Sequence, residues 1–412
     1  MNFLQKVESF NQKYGNLLFY ASLIFVFCCT SWFWTGDMPH IIKACGRYTH
    51  YIAVALWGLR ILLLSYNNPK YFLCCLTTLS VLFIAYRQSG NGSLLFCGMA
   101  IAASRGCNYR TILRIFLIAY ILVLCITPIF YCLNWTTDIG KHIGTAVGHS
   151  WGLSNQNTLG TLILLLAILI ILNYKYLSTR HIYAICFLGA LIAGAITLSR
   201  TSVLLLIAFP FLLSIINRYH INPKCWLILP MAGFVVSLCL AFFYGPSHGA
   251  TTFESRFSIP YLLYEKHGIT WLGQKCTSIV SWHKAFKTGE EALYLNNIYL
   301  GALLQYGILA WIVFMGFMSV LYNKIGKCSN SAIKAAALTF FFLGFSQLYP
   351  IILKMDFILL SFFGLEALAT SRNPIKHNSP LTKLLPTMAT ALYSRTQINR
   401  HHKNKNATIT KK

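Results

Sequence analysis

The apolar residues of this 412-residue chain come in long unbroken runs rather than in alternation. Twelve such runs fall at about 16–34, 49–65, 70–86, 92–104, 112–133, 157–173, 181–198, 201–217, 225–244, 296–322, 331–349 and 351–369. A helix needs about 20 apolar residues to cross the hydrocarbon core of a bilayer, and most of the runs come close to that. The run at 92–104 is short enough for a half-span. In lipid only helices and closed barrels satisfy their own backbone. Nothing here repeats the ten-residue alternation of a transmembrane barrel. The pattern predicts an all-α, polytopic membrane bundle of about twelve transmembrane helices.

The polar stretches set the rest of the layout. Most connections are short, but residues 135–156 form a loop containing Gly and His, and residues 245–295 form a loop of about fifty residues. Long ordered loops in compact proteins usually carry function. Within the larger loop, Glu254–His267 places Phe257, Tyr261 and Tyr264 at helical spacing, which predicts a helix lying on the membrane surface. Residues 1–369 read as one transmembrane domain. Residues 370–412 hold nine basic residues and no acid, which predicts a disordered tail drawn to anionic headgroups. The first apolar run ends in Ser31-Trp-Phe-Trp34 with no small-x-small site, so it reads as a retained span.

Composition agrees: 56% of residues are hydrophobic and 10% charged, against roughly 25% charged in a soluble domain. The net charge of +25 would point to nucleic acid in a soluble protein, but here its placement decides. With the N-terminus inside, 23 Lys and Arg fall on cytoplasmic segments and ten outside, while Lys354 lies within the last run. That bias predicts both termini in the cytoplasm and both long loops outside. The fourteen cysteines lie mostly within apolar runs and show neither a CxxC nor a zinc spacing, which makes them small buried hydrophobes.

Candidate chemistry follows from which charges sit where. No P-loop, dinucleotide fingerprint or HExxH is present. The cytoplasmic face holds only Glu8 and Glu366, too few acids to bind the metal of a nucleotide-sugar transferase. The outer face has scattered acids apart from Glu290-Glu291, so metal chemistry is thin there as well. It is rich instead in bases: Arg200, Arg256, Lys266, Lys275, Lys284 and Lys287, with His142, His149, His267 and His283. Arginine matches phosphate oxygens with a planar fork and can neutralise a diphosphate without metal or cofactor. A snorkelling Arg200 at a helix end and solvated loop lysines are the plainer readings of the same residues.

Four stretches resemble a known superfamily. Trp151-Gly-Leu-Ser-Asn-Gln-Asn-Thr-Leu-Gly160 resembles the G-F-x-N-P-N-x-x-G stretch of the O-antigen ligase and Wzy-type polysaccharide polymerase superfamily. Ile196-Thr-Leu-Ser-Arg-Thr-Ser202 is similar to its T-x-S-R stretch, and Arg256 followed by Trp271-Leu-Gly-Gln274 is similar to its external loop. Asn296-Asn-Ile-Tyr-Leu300 with Gln305-Tyr-Gly307 resembles its [H/D]-N-x-Y-L segment. The likeness covers roughly residues 110–325, in order.

The resemblance implies a polymerase of the bacterial cytoplasmic membrane that joins undecaprenyl-diphosphate-linked repeat units on the extracytoplasmic face. Arg200 and Arg256 would hold the donor diphosphate, with Asn155, Asn157, Lys275, Asn297 and Tyr299 as further substrate-binding candidates. Asn155 and Asn157 read equally well as caps of the helix that follows. Ligases of the superfamily carry a histidine where this chain has Asn296, a further catalytic candidate; that leaves the general base unassigned, with His283, Glu290 and Glu291 as substitutes by proximity in sequence. The implied partners are the lipid-linked oligosaccharide and membrane lipid, with a flippase and a chain-length regulator as candidate protein partners and no nucleic acid. A lipid-linked oligosaccharide flippase and a ligase-type oligosaccharyltransferase are the alternatives.

Overall fold

The computed structural model describes residues 3–28, 40–66, 68–136, 141–143, 146–153, 156–174, 177–219, 221–245, 254–276, 295–347, 352 and 355–370. Among these the architecture is helical except for one small hairpin. The helices are α1 (Phe3–Cys28), α2 (His40–Ser65), α3 (Pro69–Ser89), α4 (Ser93–Ala103), α5 (Tyr109–Cys132), α6 (Gln156–Asn173), α7 (Thr179–Thr197), α8 (Arg200–Arg218), α9 (Pro223–Tyr244), α10 (Ser255–His267), α11 (Ile298–Lys327), α12 (Ser331–Gly344) and α13 (Ser361–Thr370). Strands β1 (Lys141–Ile143) and β2 (Ala146–Gly148) pair antiparallel, with His142 opposite Val147. This hairpin lies in the shorter of the two long loops. Residues 1–367 form one compact unit.

Local signals explain where the helices begin. Asn68, Asn108, Asn222, Asn297 and Asn330 each precede a helix, and each accepts a hydrogen bond from a first-turn N–H. Asparagine suits this position because its short amide oxygen satisfies a donor the helix leaves unpaired. Pro69 and Pro223 follow their caps directly, where the missing N–H costs nothing.

Each of the twelve apolar runs contains a helix. Eight of the described helices are long and apolar enough to cross a membrane: α2, α3, α5, α6, α7, α8, α9 and α11. The apolar part of α1 (Tyr14–Phe27), α4 and α12 are shorter. α6 and α11 lie at the centre, with 67% and 61% of their apolar windows buried against 17–39% for the other six. α9 packs along α11, α12 on α8, and α6 against α5, α7 and α8. The outward faces carry large apolar side chains such as Phe187, Leu204, Ile228 and Phe243, as lipid-facing surfaces do.

The last two runs differ from expectation. α12 has 14 residues and α13 has 10, or about 21 and 15 Å, both short of a bilayer core of about 30 Å. Between them the chain is irregular at Met355–Leu360, where the buried Asp356 carboxylate accepts Ile358 N–H at 2.7 Å and Leu359 N–H at 3.2 Å. Irregular backbone at membrane depth survives only inside protein, and every residue of this segment is buried. Arg60, assigned from sequence to the cytoplasmic side, is buried near the end of α2 and donates to Asn16 Oδ1 (2.8 Å) and the Arg105 carbonyl (3.2 Å).

Candidate functional site

Arg200 is the first residue of α8, joined to α7 by only Leu198 and Ser199. Leu198 takes a left-handed conformation (φ 51°) to make the reversal, and Ser199 N–H donates to Thr197 Oγ1 at 3.1 Å. The Ser199 hydroxyl does not cap the helix, because it lies 3.0 Å from the Ser202 hydroxyl. Ser199 therefore gives the first-turn N–H groups of α8 no side-chain cap, and Arg200, the residue at this positive end of the helix dipole, is exposed.

Two of the motif stretches build this turn together. A Cβ on Gly160 of α6 would fall 2.6 Å from Ser199 Cβ and 2.9 Å from Thr197 Oγ1, so only glycine lets the turn sit this close. Ahead of α6, His149 N–H donates to the Ile196 carbonyl at 2.7 Å. Asn157 is the second residue of α6 and half-buried, at the same end of that helix as Gly160.

A second group forms where α9, α10, α11 and α12 meet. Asn297 caps α11, accepting from Tyr299 N–H (3.0 Å) and Leu300 N–H (3.1 Å), while its amide donates to Ser237 Oγ on α9 (3.0 Å). The Tyr299 hydroxyl donates to the Phe341 carbonyl at 2.9 Å, and its ring packs on Phe341 and Phe345. Both side chains are buried and committed to holding helices together. Asn296, one residue earlier, is half-buried. Arg256 on α10 is half-buried and donates to the Ser346 carbonyl just past α12. Lys275 is exposed.

The α10 helix departs from its predicted stripe. Phe257 and Leu263 turn inward, Phe257 against Ala241 and Leu300, and Leu263 against Leu295 and Leu304. Tyr261 is half-buried against Phe242, and Tyr264 is exposed. A helix docked on neighbours buries the face they offer, which its own spacing does not reveal. The hydrogen bond of Tyr261 to Glu265 is the main cause that raises its phenol above the ordinary tyrosine value.

The third feature is a break in α11. Gly307 adopts φ 81°, ψ 174°, a conformation open to glycine and strained for other residues. The break frees carbonyls on one side and N–H groups on the other, and the segment after α10 satisfies both. Ile308 N–H donates to the Thr270 carbonyl (3.0 Å) and Leu309 N–H to that of Trp271 (3.1 Å). Gln274 donates from its backbone to the Gln305 carbonyl (3.1 Å) and from Nε2 to the Leu304 carbonyl (3.2 Å). Asn91, ahead of α4, donates to the Gln305 side chain at 3.2 Å. The Trp271–Gln274 and Gln305–Gly307 stretches, separate in sequence, thus form one clasp.

Arg200 and Asn157 belong to the first group; Arg256, Asn296, Asn297 and Tyr299 to the second. His283, Glu290, Glu291 and Asn155 lie outside the described residues. Among the described residues no cluster of His, Cys, Asp or Glu could hold a metal ion. Sequence reasoning missed the roles of Asn91 and Ser237, whose partners lie 214 and 60 residues away. No protein family, curated protein or solved structure matches the chain.

Proposed function

We propose that the protein is a polysaccharide polymerase that joins undecaprenyl-diphosphate-linked repeat units on the extracytoplasmic face of a bacterial cytoplasmic membrane. In this reading both termini lie in the cytoplasm, and residues 135–156 and 245–295 face outward. The observation that carries it is the α7–α8 turn, where an exposed Arg200 stands on an uncapped helix N-terminus seated against Gly160. Such a terminus attracts anions, and a guanidinium adds a bidentate contact for phosphate oxygens.

The chemistry runs as follows. A sugar hydroxyl of the acceptor attacks the donor's anomeric carbon. The bond from that carbon to the diphosphate oxygen breaks, and the diphosphate leaves with the electron pair. Arg200 and the α8 N-terminus hold the leaving group, with Arg256 beside the Ser346 carbonyl as the second arginine. The hydroxyl proton passes to a base sought among His283, Glu290 and Glu291. Neutralisation by arginine needs no metal.

One observation favours a second reading, a lipid-linked oligosaccharide flippase. Transporters also use discontinuous helices and buried ionisable residues, and α11, Asp356 and Arg60 have those features. Arg200→Ala separates the two. Losing a charge-assisted contact worth about 1.5–3 kcal/mol lowers turnover roughly tenfold or more. Lys at 200 restores it only in part. Single lipid-linked units then accumulate on the outer leaflet. Accumulation on the inner leaflet marks a flippase, and full-length polymer from Arg200→Ala refutes the site.

A further inference from the structure

We infer that the stretch Gly268–Gln274 is not part of a solvated loop but a re-entrant strap within one bilayer leaflet, with its apolar side chains against lipid acyl chains. Depth can be measured along α9, one of the helices long enough to cross the membrane. Asn297 bonds Ser237, seven residues and so about 10 Å short of the last residue of α9, Tyr244. Tyr299 lies against Gly233 and Leu300 against Ala241, both inside α9. Trp311 packs on Phe234, ring centroids 4.7 Å apart.

Leu300, Trp311 and Gly326 of α11 thus meet Ala241, Phe234 and Trp226 of α9, so α11 descends along α9 from its Tyr244 end. The strap bonds to Ile308 and Leu309, next to Trp311, and so lies at comparable depth, on the order of 10 Å inside the end of α9.

Irregular backbone at that depth must have its polar groups satisfied by protein. The strap meets this in part: the Thr270 and Trp271 carbonyls and the Gln274 N–H face the α11 break, and Gln274 Nε2 bridges the Gly268 and Leu304 carbonyls, while the Thr270 hydroxyl is buried without a partner. Its outward side carries Ile269, Trp271 and Leu272, of which Trp271 is 66% exposed. Lys266 and Lys275, both exposed, flank this apolar stretch, the order expected of an element dipping below the headgroups with its charges at the surface. Acyl chains are the occupant that fits, because three apolar side chains project outward while the Thr270, Trp271 and Gln274 backbone groups bond to α11 on the other side.

The test places single cysteines at Leu272, Trp271 and Lys266 of the full-length protein, in a background free of native cysteines, in liposomes. Both strap positions are exposed, so their substitution removes little packing, and monodispersity on size exclusion checks folding. With a nitroxide at 272 or 271, collisions with oxygen should exceed those with a water-soluble nickel chelate, while position 266 shows the reverse. A water-soluble maleimide should react with Leu272→Cys roughly an order of magnitude more slowly than with Lys266→Cys, since thiolate chemistry needs water. Nickel access at 272 equal to that at 266 overturns the inference. So does low access to both oxygen and nickel, which would mean protein rather than lipid covers the strap. Neither result depends on what Arg200 binds.

Discussion

Gly160→Ala tests the packing on which the proposed site rests. In a helix interior this change ordinarily stabilises, because alanine is favoured over glycine by about 1 kcal/mol. At Gly160 the new methyl carbon would lie 2.6 Å from Ser199 Cβ, 2.9 Å from Ser199 Oγ and 2.9 Å from Thr197 Oγ1. Ordinary contact begins near 3.4 Å, so the turn must retreat by most of an ångström. Overpacking of this kind costs typically 1–3 kcal/mol, which matches or exceeds the propensity gain. The expected net effect is a loss of about 0–2 kcal/mol, with Arg200 displaced at the other side of the turn. Gly316→Ala in α11 is the control: nothing lies within 4 Å of its added methyl, so it should gain the propensity term unopposed. Thermal unfolding of the detergent-purified variants, followed with a thiol-reactive dye, reads both. Ser199→Gly in the Gly160→Ala background removes the two Ser199 contacts and should recover part of the loss. If Gly160→Ala stabilises as much as Gly316→Ala, the two motif stretches are not in the contact described here, and Arg200 loses its foundation.

Other expectations follow from the same structure. Gly307→Ala combines a disfavoured backbone conformation with a Cβ 2.2 Å from Gly273 N, so it should destabilise by about 2 kcal/mol or more, read as a lower melting temperature; an unchanged value would refute the clasp. Burial pushes the Cys107 thiol up to about 11, so its alkylation should be negligible at pH 7 and rise through pH 9–11, where the thiolate forms; rapid labelling of native protein at pH 7 contradicts this. Polymer formation by purified protein should survive chelation of divalent metals, and loss with EDTA restored by Mg²⁺ or Mn²⁺ would displace the arginine mechanism.

Much of this architecture follows from sequence because lipid imposes a simple rule. Every backbone group must be satisfied internally, so long apolar runs become helices, and all twelve runs contain one. Asparagine and proline at their starts mark several boundaries through local chemistry alone. The α10 helix was also legible from its spacing, and so was the tight turn that places Arg200.

What the sequence leaves open depends on partners far along the chain. That Gly160 seats the Arg200 turn, and that Asn297 and Tyr299 hold helices together with buried side chains, follow from contacts between segments tens of residues apart. Hydropathy reads 296–322 as one continuous span, since a glycine amid apolar neighbours does not lower it. Only the strap's hydrogen bonds across Gly307 make a break there affordable in lipid. The short α12 and α13 show the same division. Their residues are apolar enough to be counted as spans, yet the buried carboxylate of Asp356 binds the N–H groups of Ile358 and Leu359 in an irregular segment enclosed by protein. Apolar periodicity reports where a chain can be buried, whereas the direction of a buried chain is decided by which neighbours satisfy its backbone.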